Sequence, residues 1–116
     1  MKFLLILNDP PYGTEKSYNG LRLALSLSKR GDVQPRVFLM ADAVGYGKSG
    51  QETPNGYYNL ERMLKGLAAS GVPIGACGSC LDARGIDEQE LIGGVRRSSM
   101  DELTDWTLWA DKVIIF

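Results

Sequence analysis

Short, continuous apolar segments separated by stretches with helical spacing are the feature that most restricts the fold of this chain. Lys2–Leu7 and Lys112–Phe116 have no polar side chain after their first residue. A strand that is apolar on both faces is typical of a parallel sheet that helices cover on each side. Five segments are predicted to be strands: Lys2–Leu7, Arg36–Met40, Val72–Ala76, Gly94–Arg96 and Lys112–Phe116. Their alternation with helical patterns predicts an α/β layered fold with a mainly parallel sheet and right-handed crossovers.

The segments between these strands have helical patterns. Glu15–Arg30 is rich in Leu, Ala, Lys and Arg and contains no β-branched residue, which favours a helix. Tyr57–Ser70 has apolar residues at helical spacing, and Gly71 follows it as a stop signal. Ser99 fits a capping box with Glu102 and predicts a helix before the last strand. We therefore expect a helix between most pairs of successive strands.

Glycines mark one long connection. The segment Gly45–Gly56 holds four glycines and one proline and is predicted to be a loop. Loops of this length in compact domains are usually functional or mobile, so this one is a candidate for ligand binding.

The first predicted helix carries two apolar stripes. Leu21 and Ala24 share the face that is expected to meet the sheet, whereas Leu23 and Leu27 form a stripe on another side. In a small domain a second buried face often belongs to a subunit interface, which favours a homo-oligomer.

The size and charge of the chain exclude several classes of protein. Its 116 residues are expected to form a single domain, 1–116. The 13 Lys and Arg against 14 Asp and Glu give a net charge of -1, so no nucleic acid or membrane binding is expected. No apolar stretch approaches the roughly 18 residues of a membrane span, and Met1–Leu7 is too short for a signal peptide. We expect a cytoplasmic protein that binds through a local site.

The chain has two cysteines and no histidine. Without histidine it cannot form a Ser-His-Asp or Cys-His nucleophile arrangement, nor a zinc site that contains histidine. In a reducing compartment two cysteines are more often reactive thiols or packing residues than a structural disulfide. We predict no metal site and no cofactor.

The segment from Cys77 to Arg84 is the strongest candidate for chemistry. It directly follows a predicted strand, and ligands of open α/β sheets bind at the carboxyl ends of strands. Cys77 is expected to enter a Gly-Ser turn whose backbone N–H groups stabilise a thiolate and lower the pKa of the thiol. Arg84 is a candidate for an additional positive charge near the sulfur. Cys77 and Cys80 are therefore the candidate catalytic residues.

Other interpretations of the Cys77-x-x-Cys80 pattern remain open. A structural zinc site needs four ligands, which two cysteines in a chain without histidine supply only across a subunit interface. A thioredoxin-like dithiol normally opens a long helix, whereas Arg84-Gly85 interrupts the segment early. Two buried thiols without a role are the third possibility, since free cysteine is among the most buried residue types.

Polar residues also follow the first two predicted strands. Asn8–Thr14 comes after the first strand and Asp42–Val44 after the second, so both should lie at the same edge of the sheet as Cys77. Asn8, Tyr12, Asp42 and Arg84 are the candidate binding residues. The alternative for Asn8–Thr14 is a rigid turn in which Thr14 caps the following helix. Neither a dinucleotide-binding loop nor a P-loop pattern is present.

Several motifs along the whole chain resemble those of the DsrE/DsrF-like family, and most closely its YchN-like members. The resemblance rests on Pro11-Tyr12-Gly13, Leu39-Met40, Asp42-Ala43-Val44, Gly50-Gln51, Cys77-x-x-Cys80-x-Asp82-x-Arg84-Gly85-Ile86, Trp106-Thr107-Leu108 and Ala110-Asp111-Lys112-Val113. It implies a flavodoxin-like layered domain with a five-stranded sheet and helices on both faces. It also implies a homo-hexamer, a trimer of dimers. In the related Tus and Dsr sulfur-relay subunits one cysteine accepts a persulfide, and that cysteine falls on Cys77. Those subunits lack a counterpart of Cys80 and act in hetero-hexamers.

Three hypotheses for function follow from the residues and the resemblance. In the first, the protein is a sulfur carrier that holds a persulfide on Cys77 between donor and acceptor proteins, which needs accessible thiolates and no histidine. In the second, it is a small-molecule-binding or regulatory protein that uses Tyr12, Asp42 and the loop Gly45–Gly56. In the third, Cys77 and Cys80 form a redox-active dithiol.

Overall fold

Five parallel strands form one sheet in this computed structural model, which describes residues Met1–Phe116. The strands are β1 (Lys2–Leu7), β2 (Gln34–Leu39), β3 (Ile74–Cys77), β4 (Val95–Ser98) and β5 (Lys112–Ile115). Their order across the sheet is β4-β3-β2-β1-β5. The predicted α/β fold with a parallel five-stranded sheet is confirmed.

Helices connect the strands and cover both faces of the sheet. They are α1 (Lys16–Ser28), α2 (Leu60–Ala69), α3 (Gly78–Ala83) and α4 (Met100–Trp109), with short 3-10 helices at Ala41–Gly47 and Glu88–Glu90. The chain adds β2, β3 and β4 on one side of β1 and then returns to place β5 on the other. Because crossovers are right-handed, this return puts α4 on the face opposite α1 and α2. None of the helices has the length and apolar character needed to cross a membrane.

Side-chain caps fix the starts of two helices. The Asn59 side chain accepts a hydrogen bond from the N–H of Arg62 (3.1 Å), so α2 begins three residues later than the predicted Tyr57. Ser99 caps α4 as predicted and accepts from the N–H of Glu102 (3.2 Å). The Glu102 carboxylate does not complete a capping box and instead binds neighbouring side chains of β4.

Two predictions of irregular structure are wrong. Gly45–Gly47, predicted to be part of a loop, ends the 3-10 helix, because Gly47 packs against β4: a Cβ on it would lie 3.0 Å from Val95 Cγ1. The Gly-Ser turn predicted after Cys77 is the first turn of α3. Gly47 and Gly78 both lie where a side chain would collide with β4. Because glycine is also common in loops, the sequence alone does not distinguish this packing role from a loop.

The core lies on both faces of the central strands. Leu4–Leu7 and Val37–Leu39 are buried, as their continuous apolar sequence predicts. The same prediction is wrong for β5 in the single chain, where Val113 is 40% and Ile115 67% exposed. β5 is an edge strand, so one side of it has no neighbouring strand.

Candidate functional site

Cys77 lies at the junction of a strand and a helix at the carboxyl edge of the sheet. It is the last residue of β3 and the N-cap of α3. Its side chain lines a pocket of about 240 Å³ between the ends of β2 and β4 and the start of α4. Phe38, Met40 and Met100 supply apolar walls of this pocket, and Ser98 and Arg97 supply polar ones. The pocket is large enough for the end of a side chain but small for a cofactor.

Polar groups beside the Cys77 sulfur determine the pKa of its thiol. Burial raises the pKa of the Cys77 thiol, whereas the Cys80 thiol, the Ser79 hydroxyl and the backbone N–H groups of both residues lower it. The Ser79 Oγ lies 3.3 Å from Cys77 Sγ. These groups outweigh burial, so the pKa of Cys77 lies below its ordinary value. The backbone N–H groups of Ser79 and Cys80 lower the pKa of Cys77, although they belong to a short helix and not to the predicted turn.

Cys80 has the complementary role in this pair. Burial and the neighbouring Cys77 thiol raise the pKa of Cys80, while the N–H of Ala41 and the charge of Arg84 oppose that rise. The Ala41 N–H donates to Cys80 Sγ at 3.2 Å. Of the two sulfurs, Cys77 is therefore the better thiolate and Cys80 the proton-bearing neighbour. Both cysteines are free thiols in this structure.

Arg84 and Asp42 come together beside Cys80. The Nε and Nη2 atoms of Arg84 lie 3.0 and 2.7 Å from Asp42 Oδ1, and Nη1 donates to the Cys80 carbonyl at 3.0 Å. Arg84 thus ties the end of α3 to the 3-10 helix that follows β2, and its charge acts on Cys80. The sequence predicted that the charge of Arg84 would lie near the Cys77 sulfur, whereas in the structure it acts on Cys80.

Arg97 is the arginine that lines the Cys77 pocket, and it is not among the site residues predicted from the sequence. Its guanidinium packs over Gly78, where a Cβ would lie 2.9 Å from Arg97 Cζ. Arg97 makes a bidentate ion pair with Asp82, with distances of 2.7 and 2.9 Å. The Asp82 carboxylate first and the charge of Cys77 to a lesser extent raise the pKa of Arg97. Arg97 lies near the carboxyl end of β4, and ligands of open α/β sheets bind at the carboxyl ends of strands, so the position of Arg97 in the sequence was a usable signal.

Asn8 and Tyr12 lie away from the two sulfurs. The Asn8 side chain donates to the Phe116 carbonyl at 3.1 Å, on the β5 side of the sheet. The Tyr12 hydroxyl donates to Gln51 Oε1 (2.6 Å) and accepts from the N–H of Leu60 (3.2 Å), which connects the loop after the 3-10 helix to the start of α2. The six candidate residues therefore divide between a sulfur cluster of Cys77, Cys80, Asp42 and Arg84 and two separate positions.

The turn interpretation of Asn8–Thr14 has structural support. Thr14 Oγ1 donates to Asp9 Oδ2 at 2.9 Å and accepts from the N–H of Lys16 at 3.3 Å. The N–H of Asp9 donates to Ser17 Oγ at 2.9 Å. The segment is thus a hydrogen-bonded turn, but the predicted cap by Thr14 is wrong, because Glu15 is the N-cap of α1 and makes no side-chain capping hydrogen bond.

Comparison with known proteins gives consistent matches over the full length. A model of the DsrE/DsrF-like family matches residues 1–116. Protein YchN of Escherichia coli strain K12 is 44% identical over 116 residues, covering 99% of this chain and 98% of that protein. The crystal structure of YchN from E. coli superimposes with a TM-score of 0.93 and covers 99% of this chain and 98% of that one. A protein of Vibrio cholerae named sulfurtransferase TusD homolog is 32% identical over 128 aligned positions, covering 100% of this chain and 98% of that protein.

Proposed function

The chain belongs to the DsrE/DsrF-like family, and from this premise we propose that it is a sulfur carrier that holds a persulfide on Cys77. The observation that carries the proposal is the Cys77 sulfur itself, which lines an open pocket and lies 3.3 Å from the Ser79 hydroxyl. Neighbouring thiol, hydroxyl and backbone N–H groups lower its pKa. The similarity to a protein named sulfurtransferase TusD homolog supports a role related to sulfur relay. We expect the protein to act in the cytoplasm, where both thiols stay reduced.

The transfer step needs only two sulfur centres. The Cys77 thiolate attacks the outer sulfur of a donor persulfide, R–S–SH. A bond forms between Cys77 Sγ and that sulfur, the donor S–S bond breaks, and the donor leaves as the thiolate R–S⁻. Cys77 then carries S–SH, and no net oxidation or reduction occurs. An acceptor thiolate reverses the roles in the second half of the exchange.

Intact-protein mass spectrometry after incubation with inorganic polysulfide tests this proposal. We expect wild-type protein and Cys80→Ser to gain the mass of one sulfur atom, and Cys77→Ser to gain none. Because both variants replace a thiol with a hydroxyl, they are matched controls for each other. A sulfur adduct that persists in Cys77→Ser but disappears in Cys80→Ser would contradict the assignment of the nucleophile.

Two free thiols three residues apart at the start of α3, each of which alters the pKa of the other, favour a dithiol as the second candidate. In that case the Cys80 thiolate attacks Cys77 Sγ of the loaded protein, a Cys77–Cys80 disulfide forms and hydrosulfide leaves. Measurement of released sulfide separates the two candidates. A carrier retains its sulfur until an acceptor thiol is added, whereas a dithiol releases sulfide without one.

The expected homo-hexamer, a trimer of dimers, is part of the same proposal. Val113 and Ile115 expose apolar area on the edge strand β5, and Leu108 of α4 is 81% exposed. Apolar groups that a single chain leaves in water favour contact with further copies. Analytical ultracentrifugation measures the mass of the assembly directly, and a monomer at micromolar concentration would contradict the expectation.

A further inference from the structure

Arg36, Cys77 and Arg96 point to the same face of the sheet. In the strand registers Phe38 pairs with Gly75, and Gly75 pairs with Arg96. Arg36 lies two residues before Phe38 on β2, and Cys77 lies two residues after Gly75 on β3. Side chains two apart on a strand share a face, and partners in a parallel pair lie side by side. The nucleophile and the two arginines therefore occupy one surface.

This surface is the face of the sheet on which α4 packs, because Trp106 of α4 contacts Phe38 there. The Trp106 ring packs edge-on against Phe38, with centroids 6.0 Å apart. The guanidinium carbons of Arg36 and Arg96 lie 5.3 and 5.7 Å from the centre of the same Trp106 ring. Between the two arginines a pocket of about 310 Å³ opens to solvent, with Trp106 as its wall and Ile74 in its lining. This arginine pocket and the Cys77 pocket lie at opposite ends of β3 and β4.

Arg36 has no acceptor within the protein. Its guanidinium stacks 3.8 Å from the Trp109 ring centre but makes no hydrogen bond and no ion pair, whereas Arg96 pairs with Glu102 at 2.7 Å. A guanidinium is always charged and has five N–H donors, so a half-buried one is a strong site for an oxyanion from outside. A second pocket beside Arg36 lies at the carboxyl ends of α1 and α2, where helix dipoles disfavour anions. The pocket shared with Arg96 is therefore the better anion site.

We propose that Arg36 and Arg96 bind a carboxylate side chain of the partner protein that exchanges sulfur with Cys77. This inference rests on the proposed sulfur-carrier function. In the strand registers Arg96 lies two residue positions before Cys77, and Arg36 lies four positions before it. At about 3.3 Å per residue, these offsets are roughly 7 Å and roughly 13 Å along the strands. An extended partner segment spans that interval with about three residues. The partner is thus a protein segment with Asp or Glu about three residues from its sulfur-bearing cysteine.

Intrinsic fluorescence reports directly on this site, because both tryptophans of the chain, Trp106 and Trp109, contact Arg36. The probes are two synthetic peptides with blocked termini, Glu-Gly-Ser-Cys and Gln-Gly-Ser-Cys, each with an S-methylated cysteine so that no sulfur exchange occurs. We expect the Glu peptide to bind about tenfold more tightly at low salt, as for a charge-assisted hydrogen bond. The preference should weaken strongly at about 1 M salt.

Three single substitutions assign the effect to residues. Arg36→Gln and Arg96→Gln should each remove most of the preference for the Glu peptide. Arg62→Gln on α2 removes the same charge at an exposed position on the other side of the sheet and should leave the preference unchanged. Arg96 is exposed, so its variant keeps the test valid if Arg36→Gln does not fold. Equal binding of the two peptides, or an equal effect of all three variants, would overturn the inference.

Two further measurements separate this inference from the proposed function. Inorganic polysulfide carries no carboxylate, so Arg36→Gln should load Cys77 from polysulfide as fast as wild type but take sulfur more slowly from a persulfidated Glu peptide. If polysulfide never loads Cys77, the sulfur-carrier proposal fails while the fluorescence titration still tests the arginine pocket. If Arg36→Gln alters the mass of the assembly and not peptide binding, a second copy of the chain occupies this face and the inference is wrong.

Discussion

The backbone N–H of Ala41 lies 3.2 Å from Sγ of Cys80, although Ala41 adopts a left-handed conformation with φ of 50°. Ala41 is the only residue other than glycine with a positive φ. Such a conformation disfavours side chains, and most of all β-branched ones. The chain therefore maintains local strain at the residue that holds the second sulfur in place.

We expect Ala41→Val to destabilise the fold because a β-branched side chain fits this conformation poorly. The free energy of unfolding in urea should fall by about 1–2 kcal/mol. The control is Ala69→Val at the exposed end of α2, which should cost no more than about 0.5 kcal/mol. An equal loss in both variants would mean that the backbone at position 41 is not strained.

Ser79→Ala should weaken the Cys77 thiolate. The Ser79 hydroxyl is one of the donors that lower the pKa of Cys77, so its removal raises that pKa and reduces the thiolate fraction at neutral pH. The rate of alkylation by iodoacetamide at pH 7 should fall about threefold to tenfold, as expected for the loss of one hydrogen bond to a charged group.

The pH profile distinguishes this effect from a change in access to the sulfur. A pKa effect shifts the rise of the alkylation rate to higher pH and leaves the plateau at high pH unchanged. A lower plateau with no shift would contradict the electrostatic role of Ser79. Ser70→Ala, which removes a hydroxyl that donates to the Leu67 carbonyl far from the sulfur, is the matched control.

Most of the architecture could be predicted because burial leaves a local pattern. Lys2–Leu7 is β1 from end to end, and the Ser99 cap marks the start of α4. What could not be predicted depends on contacts between segments distant in sequence. Gly47 looked like a loop residue because only its approach to Val95 shows that it belongs to a packed helix. The order of residue types along the chain does not show which distant residues, such as Gly47 and Val95, come into contact.

The candidate site was predicted in position but only partly in composition. Cys77 was predicted to lie at the carboxyl edge of the sheet, and it is the last residue of β3. Asp42 was predicted at the same edge, where Arg84 connects it to the Cys80 carbonyl. A position at this edge does not say which arginine faces which sulfur, because side-chain direction depends on the helix that follows β3. The short α3 turns Arg84 toward Cys80 and leaves Arg97 of β4 beside Cys77.

Substitutions of the Asp82–Arg97 ion pair should change the reactivity of Cys77 in opposite directions. Arg97→Gln removes the cation that lines the pocket and should slow alkylation at pH 7 by about twofold to threefold, since surface charges act weakly through solvent. Asp82→Asn leaves Arg97 without its counter-charge and should accelerate alkylation by a similar factor. High salt should reduce both effects.

Arg84→Gln is the matched control for these two substitutions. Its charge acts on Cys80, so alkylation of Cys77 should change little, whereas the contact between α3 and the 3-10 helix is lost. If Arg84→Gln slows alkylation of Cys77 more than Arg97→Gln does, the assignment of the two arginines is reversed.

Glu61 should make the stability of the fold depend on pH. Hydrogen bonds from the Lys65 ammonium and from the backbone N–H of Gln51 lower the pKa of the Glu61 carboxyl, and the two contacts measure 2.9 and 2.8 Å. A carboxyl whose pKa is lower in the folded state stabilises the protein above its unfolded pKa of about 4.3, and this contribution is lost as the pH falls through the folded value. The melting temperature should therefore decrease below about pH 4.5.

Glu61→Gln should lower the melting temperature at pH 7 and flatten its decrease at low pH, whereas Glu52→Gln, on an exposed side chain, should do neither. An unchanged pH dependence in Glu61→Gln would show that this carboxylate does not connect Gln51 to α2.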